Sequence, residues 1–286
     1  MELKILDLSF SYNSTKTLDN IVLKIKGREI LCIIGPNGSG KTTLLKCMNK
    51  KLKPTTGTVL VNDINILQMN RKEVAKNIGV VPQVSTVSFP FTVYDLVMMG
   101  RYSHKGRFDT ENENDRAVVY QCLARTGIEH MADRLITEIS GGEYQKTIIA
   151  RALAQQPEIL LLDEVTLHLD INHQIEILEL VKALSEENNF AIVMVLHDLS
   201  LAARYSTKTI MLQKGRIFAY GRPEDVISVE NIRDIYDTEV EIGRSSKGNY
   251  LNVIPLSIIR NVDEITSPTM HHSFRPPLSD LKSQKY

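Results

Sequence analysis

The chain has no excess charge of either sign: 34 lysines and arginines stand against 34 aspartates and glutamates in 286 residues. Such a balance leaves no footprint for a polyanionic partner, so nucleic-acid binding starts disfavoured. Long apolar runs are also missing. The most apolar stretches, "EILCIIG" and "FAIVMVL", are far shorter than the roughly 20 residues of a membrane-spanning helix. The opening "MELKILDLSF" alternates charged and apolar residues where a secretory leader would start basic and turn apolar. A soluble chain on the cytoplasmic side is expected. Cysteine is scarce: Cys32, Cys47 and Cys122 sit in apolar or helical contexts without CxxC spacing, which argues against a disulfide frame or a zinc site and for reduced core thiols. No internal repeat is evident. What the chain does have is apolar bulk, 43% of residues, enough for one large domain or one domain with a small appendage.

The first third reads as strands, "LKILDLSFSY", "IVLKIKG" and "REILCIIG", the last a nearly continuous apolar run suited to a fully buried central strand. From Lys41 the run "KTTLLKCMNKKLK" predicts a helix ending before Pro54. "TGTVLVND" and "NIGVVPQ" predict further strands. Between Gln83 and about Thr137 the texture becomes helical without a convincing strand, marking 84–136 as a candidate inserted subdomain. "PEILLLDE" and "NNFAIVMVLHD" predict strands flanking an amphipathic helix with Ile171, Ile175, Leu178, Val181 and Leu184 on one face. Strands alternating with helices imply a largely parallel sheet covered on both sides. Residues 207–221 predict a hairpin turning at Lys214-Gly215. Beyond about Arg244 periodicity fades, and the last stretch reads as a mobile tail, its "MHHS" as solvent-exposed side chains and not a metal site.

"GPNGSGKT", residues 35–42, satisfies G-x-x-x-x-G-K-[ST] between an apolar strand and a helix, the context a phosphate-binding loop requires. Gly35, Gly38 and Gly40 let the backbone curl so that its N–H groups face a phosphate, and the helix N-terminus adds partial positive charge. The loop residues Pro36, Asn37, Ser39 and Thr43 complete the cradle. Lys41 can reach the β- and γ-phosphates and the Thr42 hydroxyl can ligate Mg²⁺. "ILLLDE" ends an apolar strand in two carboxylates. Asp163 is placed to hold Mg²⁺ through water, and Glu164 to orient or deprotonate an attacking water. His197 and Gln83 also close strands. Ligands of open parallel sheets gather at such ends, so His197 can meet the same phosphate and Gln83 can offer its amide to Mg²⁺ or water. "ISGGE", 139–143, starts another helix with two glycines, a second anion-binding start without a lysine.

In their order, the phosphate loop, Gln83, "ISGGE", "LLLDE", "HLD" and His197 resemble the ATP-binding cassette ATPases over roughly residues 1–243. The resemblance implies an α/β P-loop NTPase fold of that type: a mixed, mostly parallel core sheet, N-terminal antiparallel strands, the helical insertion at 84–136 and a C-terminal extension at 244–286. It implies a head-to-tail dimer closing over two ATP molecules with Mg²⁺. Tyr12 falls where an aromatic side chain stacks on adenine, and Asp170 where an aspartate contacts the partner subunit. Gln83 falls where a glutamine couples the site to a membrane subunit, and His197 where a switch histidine meets the γ-phosphate. Ser140, Gly141 and Gly142 fall in the signature that binds the γ-phosphate held by the opposite subunit, whose Lys41 already neutralises it.

"FTVYDLVMMGRYSHKG", "RTGIEHMADR", "LDINHQIEILELVKAL" and above all "VLHDLSLAARY" look like the ATPase subunits of importers for iron chelates (iron–siderophore, haem) and cobalamin. That resemblance implies a permease partner docked on the helical insertion, an extracytoplasmic substrate-binding protein, and a place on the cytoplasmic face of the membrane. The competing reading is a soluble cassette protein of DNA repair or translation. Such proteins usually carry coiled-coil insertions or two cassettes, which this chain lacks. An exporter reading fares worse, since exporters often fuse the cassette to membrane helices. Four positions depart from the family pattern. Val165 replaces a usual proline, which restores an N–H and predicts a less rigid turn. Leu167 replaces a small polar residue, and Ile139 and Tyr144 replace Leu and Arg. All catalytic groups are present.

Overall fold

The computed structural model describes residues 1–83, 89–106, 109–248 and 250–259. An N-terminal hairpin, β1 (Glu2–Tyr12) and β2 (Thr15–Lys26), leads into β3 (Ile30–Ile34) and α1 (Lys41–Met48). Next come β4 (Thr56–Val61), the short β5 (Ile64–Asn65), α2 (Arg71–Asn77) and β6 (Ile78–Val81). A helical stretch holds α3 (Val93–Met98), α4 (Glu113–Arg125) and α5 (Gly141–Leu153). It gives way to β7 (Ile159–Asp163), α6 (Ile171–Asn188), β8 (Ala191–Val195) and α7 (Leu199–Tyr205). The chain closes with β9 (Lys208–Gln213), β10 (Arg216–Gly221), α8 (Pro223–Val226), α9 (Val229–Tyr236), β11 (Thr238–Arg244) and β12 (Leu251–Ile258).

Two sheets stack. The first is antiparallel, in the order β2-β1-β4-β5, and the second runs β10-β9-β3-β8-β7-β6, parallel throughout except for the β10 edge. The second sheet explains its own uninterrupted apolar sequence. Alternate residues of β3 enter opposite cores: Leu31 and Ile33 pack toward the antiparallel sheet and α1, while Ile30, Cys32 and Ile34 pack toward the helices. Strands β7 and β8 divide in the same way, with Leu161 and Val193 on one side and Leu160 and Ile192 on the other. The C-terminal ends of the parallel strands β3, β6, β7, β8 and β9 therefore share one rim of the sheet.

All three cysteines are buried and unpaired, and burial pushes the Cys47 and Cys122 thiols up to about 12 and about 11. Among the described residues no helix is long and apolar enough to cross a membrane, and no group of three or more His, Cys, Asp or Glu is arranged for a metal. The hairpin turns at Lys214 and Gly215, both at positive φ (46° and 79°), as a two-residue I′ turn demands.

Three expectations need adjusting. The first helix stops at Met48, well short of Pro54, because Lys50 takes a left-handed φ of 60° and its ammonium bonds back to the Leu67 and Met69 carbonyls. The helical layer does not end at 136, since α5 packs against both α3 and α4. The boundary expected at 243 falls inside β11, which pairs with β12. The C-terminal tail with its "MHHS" lies outside the described residues.

Candidate nucleotide site

The phosphate loop leaves the C-terminal end of β3 and enters α1 through three glycines at positive φ: Gly35 (144°), Gly38 (77°) and Gly40 (105°). Gly35 is fixed by crowding as well as by φ, for a Cβ there would lie 2.3 Å from the Leu212 carbonyl oxygen. At Gly38 a Cβ would meet nothing within 4 Å, so this glycine lines open space. The loop is braced from behind. The Gly215 N–H donates to the Ser39 carbonyl (3.0 Å), and the Gly215 carbonyl accepts from the Asp19 N–H (2.9 Å).

Helix α1 has no side-chain cap. Its first N–H groups are thus free to serve an anion. The Ser39 hydroxyl is buried without a hydrogen-bond partner, and the Lys41 ammonium, itself buried, donates to the Gly35 (2.8 Å) and Pro36 (3.0 Å) carbonyls. Unused donors around a curled loop fit a polyphosphate. Burial lowers the Lys41 pKa, opposed by the Glu164 and Asp163 carboxylates nearby.

The rim of β7 and β8 brings in the other side chains. The Thr42 hydroxyl donates to Asp163 Oδ1 (3.3 Å), which joins the two expected Mg²⁺ ligands. Burial raises the Asp163 pKa, against the lowering by that hydroxyl. Glu164, at φ 52°, is bridged on both oxygens: Gln83 Nε2 donates to Oε2 (2.5 Å) and His197 Nε2 lies 2.7 Å from Oε1. Four strand-end residues named from sequence thus form one connected group. Val165 is buried in the helix-side core, and the turn after Glu164 is closed by the Leu167 N–H on the Glu164 carbonyl (3.1 Å). Tyr12 is exposed at the end of β1, edge-on to Phe10 at 4.8 Å between centroids.

Residues 139–143 stand apart from this group. Ser140 caps α5 in a capping box: its hydroxyl accepts from the Glu143 N–H (3.3 Å), and Glu143 Oε2 accepts from the Ser140 N–H (2.7 Å). The S-x-x-E spacing was the available signal for this box. A hydroxyl that accepts in this way keeps its proton for another acceptor. Gly141 is exposed and a Cβ there would make only an ordinary 3.8 Å contact with Leu169, whereas a Cβ on Gly142 would collide with His173 at 2.2 Å. Asp170, exposed, caps α6 through the His173 N–H (2.9 Å), and that bond holds its carboxyl below the usual range. Sequence reading missed His173. An Asp-x-x-His start to a helix was its only trace.

Residues 18–167 match a family model described as ABC transporter. The chain is 41% identical over 256 residues to the cobalamin import ATP-binding protein BtuD of Halobacterium salinarum, covering 90% of this chain and 64% of that one; it thus spans just under two-thirds of the relative's length. Among solved structures it is similar to an inward-facing ABC transporter described as of metal-chelate type (TM-score 0.79, 28% identity, 89% of this chain and 97% of the other). It is also similar to the dimeric structure of MJ0796, a bacterial ABC transporter cassette (TM-score 0.68, 31% identity, 77% and 98%). Sequence, architecture and strand-end chemistry agree, and the chain belongs to the ABC transporter family, on its ATP-binding side.

Proposed function

We propose that the chain hydrolyses ATP as one of two identical subunits beneath a membrane permease, on the cytoplasmic face, powering import of a metal chelate (iron–siderophore or haem) or cobalamin handed over by an extracytoplasmic binding protein. The observation that carries this reading is the Glu164 carboxylate, bridged by Gln83 and His197 beside the Thr42–Asp163 pair. Lys41 exchanges the Gly35 and Pro36 carbonyls for the β- and γ-phosphates, the loop N–H groups and the start of α1 hold the polyphosphate, and Tyr12 stacks on the adenine. Thr42, Asp163 and Gln83 would hold Mg²⁺, which neutralises charge developing between the β- and γ-phosphates. Glu164 accepts a proton from the attacking water. Each carboxylate oxygen keeps further acceptor capacity for that proton while Gln83 and His197 hold the group in place.

The second subunit supplies Ser140, Gly141 and Gly142 over the γ-phosphate, and Asp170 and Leu167 line the contact between subunits. The dimeric relative and the outward-facing, self-capped start of α5 support this. Permease docking is supported beside Gln83. Phe89 and Tyr102 are exposed at 67% and 65%, and a cavity of about 720 Å³ behind Pro82 is lined by Lys51, Arg71 and Arg151 with no carboxylate among the described residues. A docking segment that presents carboxylates or a helix C-terminus would suit it.

The test is uptake into sealed vesicles in which this chain is reconstituted with an iron-chelate or cobalamin importer permease. ATP-dependent accumulation of labelled cobalamin or ferric siderophore is expected with the native chain and absent with Glu164→Gln. Equal hydrolysis by Glu164→Gln and parent would remove the base role. Cross-linking that finds no permease near Gln83 to Tyr102 would remove the docking surface.

A further inference from the structure

We propose that His173 is a positioning residue that fastens the two partner-facing segments of one subunit, Ser140–Gly142 and the Asp170 turn, into a single unit. This rests on the dimer proposed above, and it divides the work of the paired glycines. Main chain and ring of His173 both engage Asp170, and the ring also packs on Gly142. The His173 N–H donates to Asp170 Oδ1 (2.9 Å), and Nδ1 lies 2.9 Å from each carboxylate oxygen. Since the carboxylate only accepts, Nδ1 carries the proton and Asp170 is held at both of its oxygens. On its far side the ring fills the space where Gly142 would carry a Cβ, 2.2 Å from Cδ2 and 2.8 Å from Nε2. A side chain at 142 would require the ring to shift from this position.

The neighbouring glycine behaves differently. A Cβ on Gly141 would make only van der Waals contact within this chain, so its own fold does not require a glycine there. Gly142 is therefore glycine because His173 occupies the space in the same chain, and Gly141 because something outside the chain must come close. Helix α6 is further tied to α5 by Lys146 and Glu176 at 2.7 Å, so the ring lies within a fixed helix pair. Displacing either partner-facing segment then displaces the other.

The proposal is tested in the full-length Glu164→Gln background with ATP. His173→Ala should weaken ATP-driven dimerisation about tenfold, the effect of one charge-assisted hydrogen bond, while binding of a fluorescent ATP analogue to the monomer is unchanged. His173→Asn, whose amide can donate to Asp170 from nearly the same place, should recover most of the loss. Gly142→Ala should be at least as damaging as His173→Ala, but Gly142→Ala/His173→Ala should be no worse than His173→Ala alone. A double variant far worse than either single would overturn the assignment of Gly142 to intrachain packing. His173→Ala dimerising like its parent would overturn the positioning role. Hydrogen exchange in the monomer supplies an arm that does not depend on dimers: residues 140–144 and 168–174 should lose protection together in His173→Ala. Loss at one segment alone overturns the coupling. A parent that never dimerises would count against the dimer, and exchange would still decide for or against His173.

Discussion

Helices α1 and α5 both begin at glycines, yet they begin differently. At α1 the preceding residue is Gly40 at φ 105°, with no side-chain cap, and a buried ammonium and an unpartnered serine hydroxyl stand beside it. At α5 a capping box satisfies the Ser140 and Glu143 N–H groups, the Gly141 and Gly142 N–H groups lie outside that box, and Gly141 is exposed. The first start is incomplete by itself and complete with a polyphosphate. The second is half satisfied by its own box and leaves the Gly141 and Gly142 N–H groups for an acceptor from outside. An uncapped start surrounded by buried donors suits an anion held in its own chain, and a capped, exposed one fits the proposed contact with an anion that another chain holds.

Four substitutions would break or sharpen that contrast. Glu164→Gln, within the closed half, should lower the hydrolysis rate about 10³-fold, measured by phosphate release, with ATP binding retained. Gly35→Ala places a methyl 2.3 Å from the Leu212 carbonyl at φ 144°. It should cost about 3 kcal/mol of stability and raise the Kd for ATP at least tenfold, read by denaturant unfolding and titration. In the open half Gly141→Ala should leave unfolding unchanged and ATP binding intact, while weakening ATP-driven dimerisation about tenfold by light scattering. If instead it destabilises the monomer, the two helix starts are less different than their contacts imply. Leu167→Ser should have the smallest effect, a two- to threefold weaker dimer with no change in the monomer, since the Leu167 side chain is exposed and its bond to the Glu164 carbonyl is made by the main chain.

The closed half was legible in the sequence because its determinants are local. A lysine and a threonine following "GPNGSG" after an apolar strand specify a loop and its chemistry, and "LLLDE" and "VMVLH" specify strand ends by composition alone. The central sheet was legible for a related reason, since strands buried on both faces cannot afford polar positions. What stayed hidden depends on distant residues. The end of α1 is decided by Lys50 reaching carbonyls 17 and 19 residues away, and Gly142 by a histidine in the next helix. Neither partner leaves a periodic trace. The paired glycines showed that something must come close without showing that two different things do.

The brace behind the phosphate loop bears on the order in which the protein can become functional. Ser39 is held by the Gly215 N–H, Gly35 packs on the Leu212 carbonyl, and β3 borrows an edge from β9. All three supports lie more than 170 residues downstream of the loop. A ribosome that has delivered residues 1–200 has delivered every catalytic side chain named above, but not the strand and turn that shape the cradle. ATP recognition is therefore a late event in synthesis, gated by the arrival of a two-residue turn, and nascent chains halted before residue 208 should carry the whole motif without the ability to bind nucleotide.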